Sequence, residues 1–277
     1  MNHPSYLRVF LTFARNSLVR DMMFRGNFLI QSVSSISWVL MNLGFYTLIF
    51  NHIGRGGELA AGSGWRQYEF FVFLATTLFV NSLVQAFFMP NAEEFSELIR
   101  TGGLDFALLK PIDTQFLISL HKVSWASLAN FVFAGGLLGY SLHKLDYTPG
   151  IVEVLLYPVY IVCGVAIMYS LMISLSATSI WLGRNQTLYD FWFYITNFSR
   201  YPMEIYDRGL GIPLKWFFTF IIPVLVVVNV PARLLAKPLG PDGWPLALFA
   251  LVATVGSLWA SRWVFKRALL SYRSASS

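Results

Sequence analysis

Cysteine is almost missing from this sequence: Cys163 is the single thiol in 277 residues. One sulfur forms neither an intrachain disulfide nor a Cys-x-x-Cys metal site, and Cys163, set in an apolar run, reads as a buried, inert residue. Charge is the second scarcity. Only 12% of residues are Asp, Glu, Lys or Arg, against about 25% in ordinary globular chains. A phosphate cradle of the form GxxxxGK[ST] is also absent: GRGGELAAGSG and GGLDF lack the Lys-Ser/Thr pair that would reach phosphate and Mg²⁺. The histidines, His3, His52, His121 and His143, are scattered without an HExxH pattern or acidic neighbours at ligand spacing. Disulfide scaffolds, zinc enzymes and nucleotide hydrolysis on this chain are thereby excluded as readings.

What remains is oil. The chain is 56% hydrophobic and 17% aromatic, more apolar surface than a core of this size could hide from water. The sequence predicts an all-α integral membrane protein. The net charge of +6 then belongs beside lipid headgroups and carries no suggestion of nucleic acid.

Residues 1–26 predict an amphipathic helix lying in the membrane interface. Arg8, Thr12, Arg15, Asn16 and Arg20 fall on one side and Leu7, Phe10, Leu11, Ala14 and Leu18 on another. Arginines spread through the segment, with no uninterrupted apolar stretch before a small-residue cleavage site, argue against a secretory signal. Residues 27–265 form the transmembrane domain and 266–277 a basic tail. Spans are expected at 28–50, 68–89 (ended by Pro90), 116–142, 151–182 (with Pro158 as a candidate kink) and 244–265, with a fifth apolar stretch beginning at 187–197. Residues 51–67 read as a glycine-rich loop and Gly183-Arg184-Asn185 as a tight turn.

Residues 204–236 resist that pattern. The apolar core from Trp216 to Val228 is short, split by Pro223 and closed by Asn229 and Pro231, which fits a re-entrant hairpin better than a crossing. Six spans plus this hairpin place both termini on one side, matching Arg8, Arg15, Arg20 and Arg25 at one end and Arg262, Lys266, Arg267 and Arg273 at the other. Arg200, Arg208, Lys215, Arg233 and Lys237 run against this orientation, which weakens it for residues 200–240. Glu153 and Asp190, near span ends, read as interface anchors, and Trp181, Trp192, Trp216 and Trp244 as headgroup-belt aromatics.

Between the second and third spans stands residues 90–115, containing FSELIRTGGLDFALLKP. Asn91 and Glu94 have capping-box spacing; Glu93, Glu94 and Glu97 favour the helix N-terminus and Arg100 its C-terminus, and Gly102-Gly103 supply a stop. Phe95, Leu98 and Ile99 make one apolar stripe. A helix of ten residues is marginal alone, so this one lies against something: either its own membrane domain or, the sharper reading, a cytosolic partner.

The string FSELIRTGGLDFALLKP resembles the cytoplasmic loop of ABC-2-class exporter permeases, and within them a bacterial six-span subfamily in which LIRxGxLDxxLLKP recurs. FWFYITNFSRYPMEIY and IPLKWFFTFIIPVLVVVNVPA resemble the same subfamily. The resemblance implies that residues 91–100 are a coupling helix, with Glu93, Glu94, Phe95, Glu97, Leu98, Ile99 and Arg100 docking on an ATP-binding subunit. Gly103, Leu104, Asp105, Lys110 and Pro111 belong to the loop motif. Tyr201, Pro202, Pro213, Pro223 and Pro231 belong to a re-entrant element near the outer face, and the N-terminal helix lies on the inner leaflet. It further implies two cytosolic ATPases carrying ATP and Mg, no cofactor in this chain, and a second permease, related or identical and more often different. The setting is the bacterial plasma membrane, and the cargo hydrophobic, amphiphilic or lipid-like. The rival is an ion-gradient-driven secondary transporter, which calls for internal repeats and mid-membrane charge; neither is visible.

Overall fold

Inside hydrocarbon, backbone N–H and C=O groups have no water to bond, so a chain this apolar satisfies them within helices. The computed structural model describes residues 5–52, 64–182, 186–237 and 243–272, with the side chains of residues 27, 52 and 186–190 outside that description. The 53–63 part of the glycine-rich loop, the 183–185 turn, the Asp190 side chain, Arg273 and the end of the basic tail therefore lie outside the described residues. Among the described residues the elements are helical and no strand occurs.

Helix α1 (Tyr6–Met23) leads into α2 (Arg25–His52), and α3 (Gln67–Phe87) runs on into α4 (Met89–Thr101). Short α5 (Leu104–Leu108) and α6 (Thr114–Leu120) precede α7 (Leu128–Lys144) and the 32-residue α8 (Ile151–Leu182), which continues unbroken through Pro158. After α9 (Gln186–Asn197) come two 3-10 turns, Phe198–Arg200 and Met203–Tyr206, then α10 (Gly211–Trp216) with a π-helical turn at Phe217–Ile221. Helices α11 (Val224–Ala236) and α12 (Gly243–Ser271) complete the chain.

Four stretches are long and apolar enough to cross a membrane: Phe28–Asn51, Gln67–Thr101, Ile151–Leu182 and Gly243–Ser271. A fifth exists if Gly211–Ile221 and Val224–Ala236, bent by 88° at Pro223, count as one broken span. Two of the expected spans are interrupted. The stretch from 116 to 142 is not one helix but α6, an irregular His121–Ser127 segment and the 17-residue α7. The segment escapes helical geometry because distant side chains take its backbone groups. Asn91 Oδ1 accepts from the Lys122 N–H (2.7 Å), Ser17 Oγ from that of Val123 (3.1 Å) and Asp21 Oδ2 from that of Trp125 (3.3 Å). The stretch begun at 187 is α9, 12 residues and about 18 Å long, too short to cross before Pro202 and the 3-10 turns.

Helix α8 is the hub, in contact with α3, α4, α9, α11 and α12, while α7 packs on α3. Every residue of α11 except Arg233 is buried. It comes close to α8 because position 164 is glycine: a Cβ there would lie 2.8 Å from the Val227 carbonyl oxygen. The second arm of the bent pair, α11, is tied to the 3-10 turn that precedes α10. Arg233 ion-pairs with Glu204, and Asn229 Oδ1 accepts from the Met203 N–H at 2.8 Å. Trp192 is buried with its indole N–H aimed at the Met168 carbonyl (3.4 Å). It is a core residue and not, as its spacing suggested, a belt aromatic; Trp181, Trp216 and Trp244 are exposed. Cys163, expected buried, is partly exposed.

Candidate functional site: the α4–α5 face

Helix α3 stops at Phe88, whose φ of −117° leaves the regular helix, and Pro90 opens α4 where its missing N–H costs nothing. Asn91 is not the cap that its spacing to Glu94 suggested. It lies inside the first turn of α4, 2% exposed, with all its polar atoms engaged. Its Nδ2 donates to the Phe87 and Lys122 carbonyls (2.7 and 2.8 Å) while its Oδ1 holds the Lys122 N–H. Both backbone groups of Lys122 are thus clamped by one side chain. Glu94, freed from capping, faces Lys122 Nζ at 3.0 Å and His121 Nδ1 at 3.6 Å.

The apolar stripe points into the protein. Phe95 is 1% exposed and packs with Leu104, Leu117, Ile118, Ile173 and Phe265; Leu98 and Ile99 flank the same cluster. Of the two readings of this helix, the one in which the stripe rests on its own membrane domain is therefore the one realised. The wet side carries Glu93, Glu97 and Arg100, with Arg100 Nε donating to Glu97 at 2.9 Å.

Gly102, at φ 74°, ends α4 in the left-handed conformation that glycine tolerates. Gly103 is less constrained: its φ is −62°, and a Cβ there would come too close only to the movable tip of Leu98, at 2.9 Å. The chain then makes one further turn, α5. Leu104 and Ala107 face the cluster, but Phe106 is 73% and Leu109 81% exposed, with Leu108, Lys110 and Pro111 also exposed. Asp105 is half-buried and lies against Tyr272, whose phenol is pushed up by burial and by that carboxylate.

Sequence reasoning missed the exposed apolar side of α5. The signal was present: in LDFALL, apolar residues surround a single turn, and one turn cannot bury all of its circumference.

The base of the face is tied to α12. Asp113 caps α6 by accepting from the Phe116 N–H (3.0 Å) and ion-pairs with Arg262, whose Nη1 also donates to Gln115 Oε1 at 2.8 Å. Hydrogen bonds from Arg262, opposed by partial burial and reinforced by the Phe116 N–H, hold the Asp113 carboxyl below its ordinary 3.8. A depressed carboxylate stabilises the fold above its unfolded pKa and ceases to as pH falls through the folded one. Wild-type thermal stability is therefore expected to fall as acid protonates Asp113 below pH about 3.8, a component missing from Asp113→Asn. Parallel melting curves for the two proteins across that range would refute the assignment.

The remaining motif residues stand elsewhere. Tyr201 is exposed, Pro202 buried, Pro213 exposed in α10, Pro223 at the bend and Pro231 buried within an unbroken α11. Their neighbourhood packs around Ile195, Met203 and Phe218, a cluster separate from that of Phe95. Among the described residues no group of His, Cys, Asp and Glu is placed to hold a metal.

No curated protein and no solved structure matches the chain. A family model described as ABC-2 family transporter protein matches residues 36–276, nearly the whole length, and so covers α3 to α12, the α4–α5 face and the bent pair alike. The chain is a multi-pass membrane permease component and belongs to the ABC-2 family of transporter proteins.

Proposed function

We propose that this permease is the membrane half of an ATP-driven exporter, powered by a separate ATPase that seats on the α4–α5 face. One observation carries the reading: Phe106 and Leu109 stand exposed on a turn whose other side is anchored in the membrane domain. Exposed apolar side chains of this size, on a stretch that follows the exposed Glu97 and Arg100 of α4 and runs into the exposed Lys110, mark a protein contact. Helix α4 is then the rigid seat and α5 the plug; Glu93, Glu97 and Arg100 contribute a charged rim, and Phe95, Leu98 and Ile99 transmit load inward. Two ATPases bind ATP and Mg and serve two permeases, this one and a related or identical partner.

The membrane is the bacterial plasma membrane, with α1 on its inner leaflet and both termini cytoplasmic. Leu7, Leu11 and Leu18 lie exposed beside Arg8 and Arg15, which supports an interfacial setting. At 17 residues α7 reaches about 25 Å, enough to cross if the neighbouring segments sit at headgroup depth, and α9 continued through the 3-10 turns to Tyr206 makes the sixth crossing that two cytoplasmic termini require. The bent pair dips in and returns on the outer side; the 88° bend between Gly211–Ile221 and Val224–Ala236 supports that course. Cargo is hydrophobic, amphiphilic or lipid-like.

Affinity purification from the native membrane, followed by an ATP hydrolysis assay, tests the central claim. The expected result is a co-purifying nucleotide hydrolase; a complex that has none overturns it. A second test places cysteines at Ile212 and at Lys237, at the far end of α11, in a Cys163→Ser background. Both are expected to react with an impermeant maleimide from the same side, and reaction from opposite sides would make the bent pair a true crossing.

A further inference from the structure

Where α1 turns into α2 the fold leaves a cavity of about 300 Å³. Its lining combines the aromatic Phe24 and Phe28 with the polar Arg20, Asp21, Gln31 and Ser124, closed by the apolar Pro90, Val123 and Ala126. Three features of these walls matter together. Arg20 is barely engaged: its Nε lies 3.9 Å from Asp21 Oδ1, beyond hydrogen-bond range, and its side chain is 47% exposed. Asp21, 22% exposed, spends one oxygen on the Trp125 N–H and keeps the other toward the cavity side of Arg20. The aromatic wall continues upward into the exposed Leu29, Ile30 and Val33 of α2.

A cation, an anion and an amide donor beside an aromatic wall, at the level where an interfacial helix becomes a spanning one, match a particular molecule. We propose that this elbow binds the headgroup of a zwitterionic aminophospholipid of the inner leaflet. The phosphate sits on the Arg20 guanidinium with Gln31 as a second donor, the ammonium sits on Asp21, and the acyl chains run along Phe24, Phe28 and the outer side of α2. Guanidinium presents several N–H groups to phosphate at once, a geometry that an ammonium side chain does not supply. Asp21 supplies the discrimination, since a purely anionic headgroup meets its carboxylate with nothing to offer. The proposal rests on the membrane reading alone and is independent of the ATPase seat.

Native mass spectrometry of the detergent-purified protein tests it. Phosphatidylethanolamine and phosphatidylglycerol are titrated separately, with soluble phosphoethanolamine as a third arm. Wild type is expected to retain phosphatidylethanolamine about fivefold better than phosphatidylglycerol, the scale of one charge-assisted contact at a partly wet site. Arg20→Ala should lower retention of both lipids by a similar factor. Asp21→Asn should erase the preference while leaving phosphatidylglycerol bound. Equal retention of the two lipids by wild type, or no effect of Arg20→Ala, overturns the proposal. Soluble phosphoethanolamine binding as well as the lipid overturns the lipid assignment in favour of a free phosphate ester. Arg20 has a half-exposed side chain whose Nε lies 3.9 Å from Asp21, so its variant remains informative if Asp21→Asn is unstable.

Discussion

The double variant Phe106→Asp with Leu109→Asp is expected to lose its ATPase while its membrane domain melts where the wild type does. The two side chains are 73% and 81% exposed, so charging them removes little that holds the fold. In a docked complex each would bury apolar surface at roughly 1.5–3 kcal/mol. After the usual losses to ordering, about 2–4 kcal/mol of binding should vanish, a drop of roughly 30- to 1,000-fold in affinity. Phe95→Ala should behave in the opposite way. Phe95 is 1% exposed and touches α12 through Phe265, ring centres 6.0 Å apart. Truncating such a side chain costs about 3–5 kcal/mol, visible as a broadened or lost monodisperse peak in fluorescence-detected gel filtration. The contrast separates a seat from a plug. If the α5 variant keeps its ATPase, the docking surface lies elsewhere.

Asn91→Ala is expected to be nearly as damaging, although it deletes no apolar surface. Its carboxamide meets both backbone groups of Lys122 and the Phe87 carbonyl, and removing it leaves them buried and unpaired at about 1–3 kcal/mol each. Partial rearrangement brings the expected total to about 2–4 kcal/mol. Asn91→Asp keeps the acceptor for the Lys122 N–H but sets a buried carboxylate oxygen against the Phe87 and Lys122 carbonyls, so it should be at least as damaging as Asn91→Ala. Hydrogen exchange at Lys122 gives the local readout: protection should drop in Asn91→Ala before global melting begins. Unchanged protection would mean that Ser17, Asp21 and the Ala86 carbonyl, which accepts from the Ser124 N–H at 2.8 Å, hold the irregular segment between α6 and α7 without Asn91.

That segment also explains what a one-dimensional reading can and cannot see. Apolar runs long enough for lipid announce α2, α3, α8 and α12 directly, and Gly102 stops α4 as its position implies. The break at His121–Ser127 is invisible because its partners, Ser17, Asp21 and Asn91, lie between 31 and 106 residues away. The same distance misled the reading of Asn91. Asn-x-x-Glu has capping spacing, but Pro90 had already started the helix and a remote backbone claimed the side chain. For Phe95, Leu98 and Ile99 the limitation is different. Amphipathic periodicity says that one face is covered and is silent on what covers it; here the cover is the chain's own Ile118, Ile173 and Phe265. Trp192 shows a related ambiguity, since an indole near a span end suits a headgroup belt and a buried carbonyl equally well.

The near-contact of Gly164 with the Val227 carbonyl has an experimental use. Only a residue without a Cβ lets the Val227 carbonyl come this near α8, so a shift of α11 that sets that carbonyl against residues with side chains should push the pair apart. Cys163, the neighbouring residue, is the sole sulfhydryl and is partly accessible. A labelling handle thus stands beside this close approach of two helices, and a small environment-sensitive dye attached to it would track their separation through the transport cycle without engineering a new cysteine.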